Sequence, residues 1–299
     1  MENLSLDLIK KIKRIEIKTK KLSGGEFFGM YRSAFKGKGI EFSEVREYRE
    51  GDDFRAIDWN VTAKTGKLHI KEFVEERELN IFIVLDVSSS LDFGSKKKTK
   101  KELALELISS LIFSAIKNND RVGLVLFTDY VEKYIKPRKS RARMLLLLRE
   151  ILGHKAKSKK TSLENCLKFL NRVVKRRSVI FLLSDFLDFY ETSEETKKYL
   201  KILNKAHDLI LVKISDPIER ELPEIGLTLL EDPESGEQIL VELDDEFLEE
   251  YKSYMSKEES YFERFVKTNS IDCIFIKTDD DPIAKLRNFF RMRELRRCI

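Results

Sequence analysis

Two carboxylates and three hydroxyls carry the most informative chemistry in the chain. Asp86, Ser88 and Ser90 alternate in Asp86-Val87-Ser88-Ser89-Ser90, directly after the apolar run Asn80–Leu85. Ser184-Asp185 follows a second such run, Ser178–Leu183, and Thr161 stands ahead of the helical stretch leading to it. An oxygen-only set suits a hard divalent cation: Mg²⁺ takes six oxygens at about 2.0–2.1 Å and keeps several waters. The alternate spacing fits one loop folding over a single ion. The same residue types also have a plainer use. Asp and Ser after a strand are ordinary helix caps and turn formers, and Thr161 with Glu164 makes an acceptable capping box. Taken singly, each residue reads as a cap; the three pieces together, on one rim, read as a metal site.

The elements that must position these residues alternate along the chain. Asn80–Leu85, Val122–Phe127, Ser178–Leu183, Asp208–Ile214 and Asp272–Ile276 are apolar, β-branched and aromatic runs, as expected of strands buried on both faces. Tyr130–Ile135 reads as a hairpin partner of the second. Helical periods cover residues 100–117, Leu145–Leu152, Leu163–Val174, 192–206 and the tail around Leu286–Leu295. This alternation predicts an α/β, Rossmann-like fold, with a mostly parallel central sheet and helices on both faces. In such sheets ligands collect outside the carboxyl ends of the strands, near the point where strand order reverses. Gly226–Leu243, with its Ser235-Gly236 turn, interrupts the rhythm and reads as a β-hairpin. Ahead of the first buried strand lie an amphipathic helix over residues 5–21, a glycine-marked stretch from Gly24 to Gly39 read as loop, and a strand near Leu68 and Ile70.

The Asp-Ser-Ser loop, the Thr161 loop and the Asp185 loop together resemble the metal-ion-dependent adhesion site of von Willebrand factor A domains. The resemblance implies that Ser88, Ser90 and Thr161 touch the ion directly, that Asp86 and Asp185 often act through water, and that a partner protein's carboxylate fills the open position. Phe186 departs from the pattern, which commonly has Gly after the third-loop Asp. The segment Gly37-Lys38-Gly39-Ile40-Glu41-Phe42, with Arg46-Glu47-Tyr48, Gly51-Asp52-Asp53, Ile57-Asp58-Trp59 and Ala63-Lys64-Thr65-Gly66, is similar to the family named domain of unknown function 58. The Asp232-Pro233-Glu234-Ser235-Gly236 turn fits it too. That likeness implies a non-enzymatic, metal-dependent interaction module that works with a MoxR-type AAA+ ATPase in the assembly or metal loading of other proteins, with Mg²⁺, Mn²⁺ or another divalent cation as cofactor. It divides the chain into an N-terminal helix (1–23), a β-rich accessory module (24–78) and a von Willebrand factor A-like domain (79–299) with a hairpin insertion at about 218–245.

Charge bears on the partner. The net +5 combines a balance of +13 over residues 1–200, −11 over 201–250 and +3 over 251–299. The segment 133–177 carries 16 basic residues against Glu150 and Glu164 alone. Such a block either attracts an anionic partner or forms a solvated face balanced by the acidic 219–250 segment. Lys155, Lys157, Lys159 and Lys160 immediately precede Thr161, so they are expected on the metal rim, favouring an acidic partner surface. Nucleic acid is less favoured, since 133–177 offers only Tyr134 and Phe169 for stacking.

Other function classes weigh less. Asp52, Asp53 and Asp58 among Arg49 and Arg55 could form a second carboxylate metal site; a metal-dependent hydrolase of phosphoesters or nucleic acid would use these residues or the adhesion-type site. An ion-pair and turn network is the simpler use of them, with Trp59 as a buried anchor. A scaffold with a vestigial metal site is a further alternative. No P-loop and no G-x-S-x-G elbow occurs. Three separated cysteines give no disulfide framework. No uncharged apolar run nears the roughly 18 residues of a membrane span. The expected setting is cytoplasmic, with the basic N-terminal helix able to lie peripherally on a membrane.

Overall fold

The computed structural model describes residues 25–36, 45–49, 51–71, 78–96 and 98–297. The helix expected over 5–21 lies outside the described residues. The element order begins with α1 (Gly25–Lys36), β1 (Val45–Glu47), α2 (Trp59–Thr65), β2 (His69–Lys71), β3 (Asn80–Asp86), α3 (Lys100–Lys117), β4 (Arg121–Phe127) and β5 (Val131–Arg138). It continues with α4 (Arg141–Gly153), α5 (Leu163–Val173), β6 (Val179–Ser184), α6 (Glu194–Ala206), β7 (Asp208–Ser215), β8 (Gly226–Glu231), β9 (Gln238–Leu243), α7 (Asp245–Thr268), β10 (Asp272–Lys277) and α8 (Pro282–Arg297).

A mixed α/β fold results. The six-stranded sheet has the order β10-β7-β6-β3-β4-β5, parallel throughout except for β5, which runs antiparallel to β4. Alternation along the strands splits the core into two layers. Ile81, Ile83 and Leu85 of β3 join Phe181 and Leu183 of β6 under α1, α3, α4 and α8. Phe82 and Val84 join Ile180 and Leu182 under α5, α6 and the end of α7. Both faces of β3 and β6 are therefore dry, which is why these strands read as continuous apolar runs.

Strand order explains where ligands would collect. From β3 the chain moves outward to β4 and β5, then returns to the other side of β3 as β6 and moves outward again through β7 to β10. The order reverses between β3 and β6, whose registers pair Leu85 with Leu183. Asp86 ends β3, and Ser184-Asp185 ends and follows β6, so both carboxylates stand at the mouth of the crevice that this reversal opens.

Three readings of the sequence are corrected. The glycine-marked stretch is helical over Gly25–Lys36, because Tyr31, Ala34 and Phe35 form one buried stripe on α8 and the sheet. Its Tyr31 hydroxyl donates to Asp120 at 3.1 Å. Residues 245–268, which the strand-and-helix reading passed over, form a 24-residue helix. Trp59 is 67% exposed, not a buried anchor. It opens a seven-residue helix whose start is capped by Asp58 and which buries none of its residues.

Around Trp59 the acidic cluster forms local bonds. Arg46 grips the Asp52 carboxylate with two bonds of 2.7 and 2.8 Å, lowering its pKa to about 2 with help from the Arg49 amide. Asp53 accepts from the Arg55 amide, and Asp58 from the amides of Asn60 and Val61. β1 and β2 pair as a separate two-stranded sheet, as do β8 and β9.

Candidate metal centre

The rim is built from three loops and the tip of the hairpin. Asp86 is 1% exposed; its Oδ1 accepts from the Ser88 amide at 3.0 Å and its Oδ2 from the Ser184 hydroxyl at 2.8 Å. These bonds tie the first loop to the end of β6. Ser88 and Ser90, both buried, place their hydroxyl oxygens 3.1 Å apart. Ser88 precedes a single 3₁₀ turn, Ser89–Asp92, yet its side chain makes no capping bond.

The second loop is clasped from beneath. Glu132 on β5 accepts from the amides of Lys157 and Ser158 at 2.9 and 3.3 Å, from the Thr128 hydroxyl at 2.9 Å, and pairs with His154 Nε2 at 2.7 Å. Lys155, Lys157, Lys159 and Lys160 on that loop are exposed. The cap of α5 is Ser162, whose hydroxyl accepts from the Asn165 amide. Thr161 therefore lies one residue outside the helix and is not the expected cap. Its hydroxyl instead donates to Glu234 Oε1 at 2.7 Å, and its amide donates to Oε2 of the same carboxylate at 3.2 Å.

The third loop carries the strain. Asp185 is buried, and its Oδ2 accepts from the Lys100 ammonium at 2.9 Å. Lys100 itself is 0% exposed and also donates to Glu219. Burial alone would lower the Lys100 pKa, but the charges of Asp185 and Glu219 outweigh it and raise it. Phe186 adopts φ 48°, in the left-handed region where a residue with a Cβ costs roughly 1–2 kcal/mol. This is the position at which the resembled site commonly carries Gly. The ring anchors the loop in exchange, buried against Phe262 at a centroid distance of 5.1 Å, with Phe189 edge-on to the same ring at 4.9 Å.

Of the five predicted site residues, Ser90, Thr161 and Asp185 line a cavity of about 530 Å³ together with Ser184 and Glu234; Asp86 and Ser88 are buried and join it through their bonds to Ser184 and Ser90. Among the described residues no group of three or more His, Cys, Asp or Glu side chains is close enough to hold an ion alone. An ion here would draw on hydroxyls and water beside the carboxylates, as Mg²⁺ readily does. The electrostatics fit a cation. Burial, and next the charge of Asp185, push the Asp86 carboxyl up to about 7. Its partners are an amide and hydroxyls, with no basic side chain among them. A buried carboxylate short of positive charge, next to hydroxyls whose oxygens keep lone pairs to offer, is a donor set for a hard divalent ion.

Two participants escaped the sequence reading. Lys100 sits in the cluster Lys96–Lys101, which resembles any solvated helix start. Glu234 is 73 residues from Thr161, and its one signal is an acidic turn inserted between two rim elements.

The profile of the family described as "Protein of unknown function DUF58" matches residues 44–261. The uncharacterized protein Rv1480 of Mycobacterium tuberculosis is 26% identical over 284 residues, covering 94% of this chain and 88% of its own length. YeaD of Bacillus subtilis is 34% identical over 82 residues, 27% of this chain and 19% of YeaD. Among solved structures, BatB from Bacteroides thetaiotaomicron superposes with a TM-score of 0.45 at 16% identity, covering 72% of this chain and 98% of that one. A von Willebrand factor type A structure from Catenulispora acidiphila gives 0.42 at 13% identity, over 74% and 43% of the two chains.

Proposed function

The chain belongs to the DUF58 family, and from that premise we propose that it is a protein-interaction module that captures an acidic side chain of its partner on a divalent cation. Ser88, Ser90 and Thr161 would hold the cation directly, with Asp86 and Asp185 in support through water. When bound, the cation supplies a Lewis-acid position for a carboxylate. The observation that carries this reading is the convergence of two buried carboxylates with three hydroxyls, none of which caps a helix, at the reversal of strand order.

The partner's chemistry follows from the rim. Four exposed lysines on the loop before Thr161 favour an acidic surface. A MoxR-type AAA+ ATPase is the partner that the family resemblance puts forward, in assembly or metal loading of other proteins. Hydrolysis through Asp52, Asp53 and Asp58 is disfavoured, because each of these carboxylates is engaged in an ion pair or a cap. Among the described residues no helix is long and apolar enough to cross a membrane.

The test is a pull-down of the tagged chain from its own cell extract, with Mg²⁺ or with EDTA, read by mass spectrometry. A partner retained with Mg²⁺, released by EDTA and lost in the Ser88→Ala/Ser90→Ala double variant supports the reading. Partner binding indifferent to both EDTA and the double substitution would sink it.

A further inference from the structure

The hairpin β8–β9 is attached to the domain at its two ends. Of its strand residues only Leu243, at the base, is buried, while Leu227, Leu229, Ile239 and Leu240 are exposed. The far end is held by polar bonds. Ser89 Oγ donates to the Pro233 carbonyl at 2.6 Å, and Thr161 donates to Glu234 through both its hydroxyl and its amide. The tip thus touches the first and second metal loops at once.

The turn is shaped to present that carboxylate. Asp232 accepts from the amides of Glu234 and Ser235 at 2.9 and 3.2 Å and from the Ser235 hydroxyl at 2.6 Å. Gly236 takes φ 74° and closes the turn by donating its amide to the Asp232 carbonyl at 2.8 Å. Glu234 is therefore aimed by a rigid turn into the cavity it shares with Ser90, Thr161 and Asp185. The Thr161 hydroxyl gives its proton to Glu234 and keeps its oxygen lone pairs, so one threonine can serve the carboxylate and a cation together. A second carboxylate facing Asp185 across one cavity is repelled by it, and a shared cation turns that repulsion into attraction.

We propose that Glu234 is a ligand of the cation, supplied by the hairpin of the same chain, and so the tethered carboxylate that a partner's acidic side chain has to displace. This rests on the metal site of the proposed function and adds a fourth segment to it. Being tethered, Glu234 competes at a high effective concentration, and a partner gains the position by drawing the tip away.

The experiment is a calorimetric titration of the full chain with Mn²⁺ at pH 8, on the wild type, Glu234→Gln and Ser88→Ala/Ser90→Ala. Amide hydrogen exchange across residues 228–240 is followed in parallel, with and without Mn²⁺. Gln keeps one oxygen to accept from the Thr161 amide, and its own amide can donate to the Thr161 hydroxyl oxygen once that hydroxyl turns, so the tip keeps its contact with Thr161. The expected result is at least tenfold weaker Mn²⁺ binding in Glu234→Gln, with exchange at residues 232–237 slowed by Mn²⁺ in the wild type alone. Wild-type Mn²⁺ affinity in Glu234→Gln, with tip exchange indifferent to the ion, overturns this inference and leaves the metal site standing. Absence of Mn²⁺ binding to the wild type overturns the site itself, and this inference with it.

Discussion

Asp86→Asn separates the cost of the buried carboxylate from its use. The Asp86 carboxyl is pushed from 3.8 to about 7, so the folded chain holds this proton more tightly than the unfolded chain does. Its contribution to stability is complete below about pH 4 and is lost as pH rises through 7. Three pKa units correspond to roughly 4 kcal/mol. Asn cannot ionise and escapes this loss, but its amide donates where Oδ2 accepts the Ser184 hydroxyl, a mismatch costing about 1–2 kcal/mol. In EDTA at pH 8 the variant should therefore be more stable than the wild type by about 2–3 kcal/mol, and at pH 5 equal to it or weaker. A saturating divalent ion should close this gap. At 100 times its dissociation constant it adds about 2.7 kcal/mol to the wild type and little to a variant that has lost the charge. Urea denaturation followed by far-ultraviolet circular dichroism at pH 5 and 8, with EDTA or Mg²⁺, measures all four differences. A variant less stable than the wild type at pH 8 in EDTA would refute the claim that this carboxylate lacks a cation.

Two further substitutions test the surroundings of the site. Lys100→Met removes the buried ammonium that serves Asp185 and Glu219. It should cost about 3–5 kcal/mol in urea denaturation with EDTA, and Mg²⁺ should recover more stability in this variant than in the wild type, because Asp185 then loses its hydrogen-bonded ammonium and keeps only the nearby charge of Lys213. Phe262→Ala removes the ring that seats Phe186 and Phe189. The expected loss is about 3–5 kcal/mol, together with faster hydrogen exchange at residues 185–190; unchanged exchange there would mean that the third loop does not depend on this packing.

Legibility followed burial. Strands β3, β4, β6 and β7 read directly because both their faces are dry, leaving runs such as Asn80–Leu85 without a charge. Asp86, Ser88, Ser90 and Asp185 were legible because they follow such strands, and Thr161 because it stands just ahead of helix α5. Helix α1 was masked by Gly25 and Gly29, which dilute the stripe of Tyr31, Ala34 and Phe35. In α7 the buried residues Glu258, Phe262, Phe265 and Val266 fall in the second half alone, so its acidic first half carries little period. Trp59 shows the opposite failure: a large apolar residue suggests a core, but the short helix it opens has none to offer. Contacts between distant segments, such as Thr161 with Glu234 and Lys100 with Asp185, leave no local pattern to read.

Each loop of the rim has its own protein anchor, and this decides what an ion could change. The first loop is tied by Asp86 to Ser184, the second by Glu132 to the amides of Lys157 and Ser158, and the third by the Phe186 ring on Phe262. These anchors fix the backbone and leave the Ser88 and Ser90 hydroxyls bonded to each other and the Thr161 hydroxyl to the Glu234 carboxylate. Charge is the unsettled quantity there. Lys100 is bonded to Asp185 and Glu219, while Asp86 and Glu234 stand nearby with only amides and hydroxyls as partners. A divalent ion would supply charge to the two carboxylates that Lys100 does not serve. Metal binding at this site is accordingly expected to act on affinity and stability rather than on the fold, and a partner's carboxylate enters by taking over the share of that charge held by Glu234.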